Sequence, residues 1–301
     1  MSDESQGTFD RLADEIANFR EIATHLRPSP GEVPDVEGID IAAFSKPLYE
    51  VIGGDHLIYI DFPKRFSLER RLGRARARGR DEVVENLEHL KHRAGVMLAD
   101  VSGHRMTDAL IAAMLHQAFL VGVHYELDRY GEITTRIFEH LNTRFYRTTA
   151  VNKYFTMLYG EISEGGRFRF ISAGHQLPLV FSREYGKIVE ISGDRVVSFP
   201  PVGLLPPKDD LDDPPDSTFV GKNAYSVNEI SLLAPGDLLL LVTDGFTEHD
   251  DGKFFPERVE KILAECSNYT AADICQRLEE GLLAEGTRDD DISAVVIQRT
   301  Q

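Results

Sequence analysis

The sequence is poor in the residues that build disulfide frameworks, zinc sites and membrane spans. Its 301 residues include two cysteines and no tryptophan. Cys266 and Cys275 have neither CxxC spacing nor a partner histidine, so they indicate no zinc site, and we expect them to pack in the interior. No apolar run approaches the ~20 residues that a membrane span needs. These absences favour a globular chain that does not enter a membrane.

Basic residues are also scarce, with 33 Lys and Arg against 50 Asp and Glu and a formal charge of −17 at pH 7. This balance argues against a non-specific nucleic-acid binder, because such binding depends on neutralising phosphates. The first ten residues, MSDESQGTFD, carry acids where a signal peptide would carry basic residues and an apolar core. We therefore expect a cytoplasmic protein without a nucleic-acid partner.

The first 30 residues predict one amphipathic helix. Apolar residues recur every three or four positions, and prolines follow. The spaced residues are Phe9, Leu12, Ile16, Phe19, Ile22 and Leu26. Because this seam is shorter than three heptads, two interpretations stay open, packing on the chain's own domain and a dimeric coiled coil. We expect the helix to serve in regulation or dimerisation.

One basic stretch interrupts the acidic chain. Between residues 64 and 80 there are eight Lys and Arg residues and a single acid, Glu69. Residues 64–93 predict an insertion into the domain, either a charged helical hairpin or a partly disordered excursion, which projects as an accessory element. It is either a solvated insertion or a patch that binds the protein substrate or a regulator.

The remaining pattern predicts an α+β fold within one domain, residues 31–301. Short strands precede and follow a pair of helices in residues 107–145, and no βαβ alternation is present. Residues 153–181 contain three short strands in succession, which predicts a meander with antiparallel pairing. Residues 200–216 are too rich in proline for regular structure and predict a surface loop.

Four aspartates lie beside apolar strands. The clearest case is LLLLVTDGFTE, residues 238–248, in which five apolar residues lead directly into Asp244 and Gly245. The set is Asp55, Asp100, Asp244 and Asp290. Carboxylates that converge would repel each other unless cations were present, and oxygen ligands select hard ions such as Mg²⁺ or Mn²⁺. Two such ions can activate a water and bind a phosphoryl oxygen without a protein nucleophile, and the sequence has no GxSxG, cysteine phosphatase loop or phosphate-binding glycine loop.

Six segments resemble, in order, the SpoIIE-type branch of the metal-dependent PPM serine/threonine phosphatases, over about residues 20–299. They are VIGGD (51–55), LADVSGH (98–104), FTMLYGEI with FISAGHQLPLV (155–180), PPVGLLP (200–206), LAPGDLLLLVTDGFTE (233–248) and DDDISAVVI (289–297). The resemblance implies a PPM-type αββα sandwich of two antiparallel sheets flanked by helices. It also implies two Mn²⁺ or Mg²⁺ ions, held by the four aspartates with the Val101 carbonyl. Asp291 is the second choice beside Asp290.

The resemblance further implies a substrate. It would be a phosphoserine or phosphothreonine protein, typically a STAS-domain anti-sigma-factor antagonist in bacterial partner switching. The alternative is a non-catalytic regulatory binder that keeps the fold, which loss of the metal carboxylates would signal, and all four are present. A haloacid-type phosphatase is disfavoured, because Asp289, Asp291 and Ser293 precede the last strand instead of following the first one.

Three features depart from the family pattern. Ile58 stands where the family usually has another aspartate, Arg105 replaces the last glycine of GHG, and the insertion lengthens the gap between the first two metal motifs. We expect neither His104 nor His175 to act as the general acid, since His175 lies in a turn between strands, where a structural hydrogen-bonding role is more common.

Overall fold

The computed structural model describes residues 3–48, 53–103, 106–148, 153–189, 191–206, 225–232, 234–284 and 286–301. The helices within these ranges are α1 (Asp3–Thr24), α2 (Phe62–Arg65), α3 (Leu68–Ala77), α4 (Asp81–Leu90), α5 (Met106–Arg129), α6 (Arg136–Thr148), α7 (Asp244–Thr247), α8 (Glu257–Glu265) and α9 (Ala271–Ala284). The strands are β1 (Ile39–Lys46), β2 (His56–Asp61), β3 (Arg93–Val101), β4 (Phe155–Ser163), β5 (Arg167–Ala173), β6 (Leu179–Ser182), β7 (Lys187–Val189), β8 (Ser198–Phe199), β9 (Asn228–Ser231), β10 (Leu238–Val242) and β11 (Ile292–Arg299).

The strands form two sheets. The first has the order β1-β11-β10-β6-β7, and all its pairs are antiparallel. The second has the order β2-β3-β4-β5-β8, with β9 also paired to β5. Its pairs are antiparallel except for the two-residue β5–β8 contact, which is parallel. In the first sheet β1 pairs with β11 and β10 with β6, so strands that are far apart in the sequence are neighbours.

Side chains alternate between the two faces of each strand, and the interior is therefore divided into three apolar layers. In β10, Leu239 and Leu241 face the other sheet, while Leu238, Leu240 and Val242 face α8 and α9. In β3, Val96 and Leu98 contribute to the layer between the sheets, and Met97 and Ala99 to the layer under α5 and α6. A strand buried on both faces needs apolar residues at every position, which accounts for the unbroken run at residues 238–242. The predicted αββα sandwich is confirmed.

The chain crosses from one sheet to the other after β5. β4 and β5 pair as expected, but β6 pairs with β10 in the opposite sheet. The prediction of a continuous meander through residues 153–181 is therefore wrong at its last strand. The sequence pattern did not show this, because a turn that closes a hairpin and a turn that changes sheets use the same small and polar residues.

The inserted segment packs against the body of the domain. The inner faces of α3 and α4 bury Leu68, Leu72, Val83, Leu87 and Leu90, which belong to the same apolar layer as α5 and α6. Most of the basic residues of α3 lie on its outer face, whereas Arg71 is buried. The expectation that the insertion simply projects is therefore wrong for its apolar side, which is an integral part of the core.

Helix α5 is long and apolar enough, with a mean hydropathy of 1.3 over its best window, to satisfy a length-and-composition test for a membrane span. The core explains much of this character, because Leu115, Phe119, Val123 and Leu127 are fully buried on one face of the helix. An amphipathic core helix passes the same test, so this feature is weak evidence for a membrane.

Candidate metal centre

The four aspartates meet at one edge of the sandwich. His56 pairs with Ala99, so Asp55, just before β2, lies beside Asp100 at the end of β3. In the other sheet Val242 pairs with Ala294, which brings Asp244, after β10, close to the residues that precede β11. Asp55, Asp100 and Asp244 are half-buried, and Asp290 is exposed. Antiparallel pairing therefore collects carboxylates that the sequence separates by up to 235 positions.

Asp291 ties the two sheets together at this edge. Its Oδ1 accepts a hydrogen bond of 2.6 Å from the Leu48 amide, and its Oδ2 accepts one of 2.6 Å from the Gly54 amide. The side chain is buried, so both oxygens are engaged with backbone donors that would otherwise lack partners. Asp291 thus fixes the loop that carries Asp55, while the neighbouring Asp290 stays accessible.

Glycine is required in that loop by close approach. A Cβ on Gly54 would lie 2.5 Å from the Gly103 carbonyl oxygen and 2.7 Å from the Val101 carbonyl oxygen. Real Cβ atoms do not come so near to backbone oxygens, so only glycine allows the loop to sit against the end of β3. The Val101 amide in turn donates to the Gly54 carbonyl at 3.3 Å. This packing places the Val101 carbonyl against Gly54, the residue before Asp55.

Thr243 is a further positioning residue that the sequence analysis did not identify. Its Oγ1 donates to Asp55 Oδ2 at 2.9 Å and accepts from the Ser293 amide at 3.0 Å. The side chain is fully buried. A polar residue inside the apolar run LLLLVTDG was the available signal, because a buried hydroxyl requires hydrogen-bond partners.

The carboxylates shift one another's titration. Burial, followed by the charges of Asp55 and the other aspartates, raises the pKa of Asp100 from 3.8 to about 9. Burial and the charge of Asp291 raise the pKa of Asp55 well above its usual range, and burial with Asp290 raises the pKa of Asp244. Carboxyl groups whose pKa values are raised by burial and by each other's charge mark a site that is short of positive charge.

This donor set suits hard divalent cations. The converging side chains offer oxygen atoms alone, which Mg²⁺ and Mn²⁺ prefer, and a cation would relieve the mutual repulsion that raises the pKa values. Within the described ranges, no group of three or more His, Cys, Asp or Glu side chains is arranged to hold a metal ion. The fit of these residues to such ions therefore rests on ligand type and charge.

An ion pair fixes the turn that follows Asp100. Lys153 Nζ lies 2.9 Å from Asp108 Oδ1 and donates to the Ser102 carbonyl at 2.5 Å. Asp108 lies in the first turn of α5 and is fully buried. The pair thus connects the end of β3, the start of α5 and the segment before β4. Nothing in the sequence pattern marks either residue for this role.

The histidines of this region are held neutral. His175 is buried, burial lowers its pKa to about 4, and its Nδ1 lies 2.8 Å from Thr156 Oγ1, which supports a structural role. His56 Nε2 lies 2.9 Å from His116 Nδ1, and burial together with His116 lowers the pKa of His56 to about 3. His104 and Arg105 lie outside the described residues.

The sequence matches the family model for Stage II sporulation protein E (SpoIIE) over residues 91–300, which is more than half of the chain. A search of curated proteins finds no significant match. The match includes Asp100, Asp244 and Asp290, while Asp55 precedes it.

Solved structures share the fold at low sequence identity. The SiaA PP2C domain of Pseudomonas aeruginosa superposes with a TM-score of 0.64 at 15% identity, covering 98% of this chain and 99% of that one. The RsbU and RsbW domains of Rv1364c from Mycobacterium tuberculosis give 0.60 at 21% identity, covering 89% of this chain and 62% of theirs. The catalytic domain of the phosphatase PstP, crystallised with two manganese ions, gives 0.53 at 12% identity, covering 87% and 99%. The chain thus spans less than two thirds of the Rv1364c structure and nearly all of the other two.

Proposed function

Because the chain belongs to the SpoIIE family, we propose that it is a metal-dependent phosphatase that hydrolyses phosphoserine or phosphothreonine in a protein substrate. The observation that carries this proposal is the meeting of Asp55, Asp100, Asp244 and Asp290 at one edge of the sandwich, with raised pKa values for the first three. A cluster that opposes its own ionisation is costly, and bound cations give a functional reason to retain it.

Two ions, Mn²⁺ or Mg²⁺, would be held by these four aspartates and the Val101 carbonyl. When bound, the pair would supply Lewis acidity to the phosphoryl oxygens and lower the pKa of the attacking water. The manganese in the PstP crystal structure supports this choice of metal. Asp290 is preferred to Asp291 because both oxygens of Asp291 already accept backbone hydrogen bonds.

The surrounding residues would hold this centre in shape during hydrolysis. Thr243 orients Asp55, Asp291 fixes the loop before it, and Lys153 with Asp108 fixes the turn after Asp100. The reaction consumes one water, breaks the bond between phosphorus and the seryl oxygen, and gives serine and inorganic phosphate. The leaving oxygen requires a proton, for which a water is the source, because His175 is buried and neutral.

The proposed substrate is a STAS-domain anti-sigma-factor antagonist in a cytoplasmic partner-switching system. The fold shared with the RsbU domain of Rv1364c supports this class. A second solved neighbour is described as part of the bacterial stressosome, with a TM-score of 0.51 at 16% identity. Comparing the phosphoproteomes of deletion and wild-type cells would identify the substrate directly.

The decisive test is hydrolysis of a phosphoserine protein with and without metal. We expect activity with Mn²⁺ or Mg²⁺, none in excess chelator, and a loss of at least about a thousandfold in Asp100→Asn or Asp244→Asn while circular dichroism shows the fold retained. Full turnover in chelator would exclude the two-metal mechanism. A folded wild-type chain that binds Mn²⁺ but turns over no phosphoprotein would favour the alternative, a regulatory binding protein.

For helix α1 we propose a role in dimerisation or switching. Its seam is exposed at Phe9, Leu12 and Ile22, so it does not pack on its own domain at these positions. Light scattering on a chain that lacks residues 1–27 checks this. We expect fewer chains per particle or a changed activity. An unchanged number of chains per particle together with unchanged activity would exclude the role.

A further inference from the structure

An apolar cavity of about 370 Å³ lies at one end of the first sheet, next to its last strand β7. The described residues that line it come from β6 and β7, from the segments next to these strands and from the start of α8. They are Leu177, Pro178, Leu179, Ile188, Val189, Ile191, Phe255, Pro256 and Glu260. Glu260 is the one charged residue in this described set. We call this cavity the β7 groove.

The apolar lining of the β7 groove is partly uncovered. Val189 is 43% exposed. The half-buried apolar members are Leu177, Leu179, Ile188, Ile191 and Phe255. Glu260 is engaged with the backbone, because its Oε1 accepts a hydrogen bond of 2.9 Å from the Ile188 amide at the middle of β7. A carboxylate at that amide opposes the addition of another strand, so the groove offers a partner its apolar side chains.

The strand register places the β7 groove at the same end of the sheet as the metal centre. β10 runs towards Asp244, and β6 pairs with it in the antiparallel direction from Leu179 onward. The residues that precede Leu179 therefore lie at the end where β10 leads into Asp244. β7 pairs with β6 in turn, so Ile191, which follows β7, lies at this end as well.

Two hydrogen bonds connect the groove with the metal centre. Gln176, the neighbour of Leu177, donates from Nε2 to Thr247 Oγ1 at 2.7 Å. Thr247 Oγ1 donates to the Asp244 carbonyl at 3.2 Å. Side chains as well as the sheet therefore fix the position of the groove relative to Asp244.

The spacing of the strands gives the distance between the two sites. Neighbouring strands lie about 4.8 Å apart, and residues along a strand about 3.4 Å apart. The groove lies about one to two strands from β10 and about two to three residues before Asp244, which corresponds to roughly 8–14 Å. An extended polypeptide covers this distance in about three residues. A substrate segment that leaves the centre along this edge thus brings a side chain over the groove.

We propose that the β7 groove is a substrate subsite that binds an apolar side chain about three residues from the phosphoserine. The inference rests on the proposed function and adds a sequence preference to it. A cavity of about 370 Å³ has room for a side chain such as leucine, methionine or phenylalanine. Removing such a side chain from water should strengthen binding at least about tenfold.

A set of phosphoserine peptides tests the subsite on the full-length chain with Mn²⁺. The reference peptide has glutamine at every position from the second to the fourth on both sides of the phosphoserine. Each other peptide replaces one of these glutamines with leucine. The aryl ester p-nitrophenyl phosphate serves as a substrate that is too small to reach the groove. Initial rates give kcat and KM for each peptide.

We expect leucine about three residues away, on one side of the phosphoserine, to raise kcat/KM at least about tenfold over the reference. The gain should come from a lower KM with kcat nearly unchanged, because the contact is made equally in the ground state and the transition state. Values of kcat/KM within about twofold for all peptides would assign the groove to another partner, such as a second copy, and overturn the inference. Absence of turnover on every substrate, p-nitrophenyl phosphate included, would overturn the proposed function as well.

A charge placed in the groove locates the preference. Val189→Glu should reduce the ratio of kcat/KM between the best leucine peptide and the reference to about one, because the leucine would then meet a carboxylate. The matched control is Val121→Glu, which adds the same charge at an exposed valine of α5 that does not line the groove. It should keep the full ratio. Circular dichroism verifies the fold of both variants. A ratio that Val189→Glu leaves unchanged would place the apolar contact elsewhere and overturn the inference.

Discussion

The metal centre and the inserted hairpin of α3 and α4 are both rich in charged residues. In the centre like charges face each other, whereas in the hairpin the charges are paired. In the centre, carboxylates face carboxylates, and burial with mutual repulsion raises the pKa of Asp100 to about 9. In the hairpin, cations meet acids or helix carbonyls on both its buried and its solvent side. Arg71 pairs with Asp128, Arg76 with Glu88, and Arg80 donates to the Asp128 carbonyl at 2.9 Å.

The difference shows that the charges of the hairpin serve the fold, whereas those of the centre need a bound cation. Paired charges at the hairpin satisfy the last carbonyls of α5, which have no partner within their own helix, and so attach the insertion to the core. Like charges in the centre stabilise nothing unless a cation joins them. Removing a carboxylate that only faces other carboxylates should therefore stabilise the metal-free protein, whereas removing a paired cation of the hairpin should destabilise it.

The largest expected effect concerns two adjacent aspartates of the centre. Asp291→Ala leaves the half-buried Leu48 amide and the buried Gly54 amide without acceptors, which should cost about 3–5 kcal/mol in the free energy of unfolding. Asp290→Ala removes an exposed carboxylate, so its unfolding free energy should stay within about 0.5 kcal/mol while Mn²⁺ affinity falls at least tenfold. Urea unfolding and titration calorimetry measure both quantities. Equal destabilisation by the two changes would contradict the separate roles given to these residues.

Arg71 of the hairpin ranks second. Its guanidinium is buried against Asp128, the His124 carbonyl and the Phe66 ring. Arg71→Met keeps the apolar stem but removes these bonds, and we expect a loss of about 2 kcal/mol in unfolding free energy without a change in Mn²⁺ affinity. Thermal unfolding in the absence of metal gives the first value. A fall in metal affinity as large as that of Asp290→Ala would show that the hairpin belongs to the centre.

Substitution of Asp100 should raise the unfolding free energy of the metal-free protein, whereas substitution of Arg71 should lower it. Since its folded pKa is raised from 3.8 to about 9, the folded state holds a proton that the unfolded chain releases, and stability falls as pH rises through this window. Asp100→Asn removes that penalty. We expect it to be more stable than wild type at pH 8 by on the order of 1–2 kcal/mol, a figure reduced by partial exposure of the site. Saturating Mn²⁺ should reverse the order, because the wild type alone gains full binding energy. A variant that is less stable than wild type at pH 8 in chelator would refute the repulsion argument.

The smallest effect is expected at Arg76, which pairs with Glu88 on the solvent side of the hairpin at 2.6 Å. Both side chains are exposed, so Arg76→Ala should change the unfolding free energy by at most about 0.5 kcal/mol. Urea unfolding beside Arg71→Met provides the measurement. A loss equal to that of Arg71→Met would mean that the outer pair is as structural as the buried one.

Several features of the fold could be predicted because they depend on local pattern. The unbroken apolar run at residues 238–242 gave β10 with both faces buried, and three-to-four spacing gave α1. The family resemblance gave the sandwich and the four aspartates. The path after β5 could not be predicted, because a turn within a sheet and a turn between sheets use the same residue types. The packed inner face of the insertion could not be predicted either, because a charged helix has the same sequence pattern whether it packs on the core or projects from it.

The sequence by itself determined which residue types the chain brings to its strand ends, namely aspartates beside glycines at the end of apolar runs. Only the tertiary structure decided what each one does. Asp290 and Asp291 are indistinguishable as neighbours in DDDIS, yet Asp291 is directed inward to two backbone amides and Asp290 outward. Thr243 reaches Asp55 across 188 positions of sequence. The physical reason is that hydrogen-bond direction and burial depend on which strands become neighbours, and the pairing of distant strands is not written in any one segment.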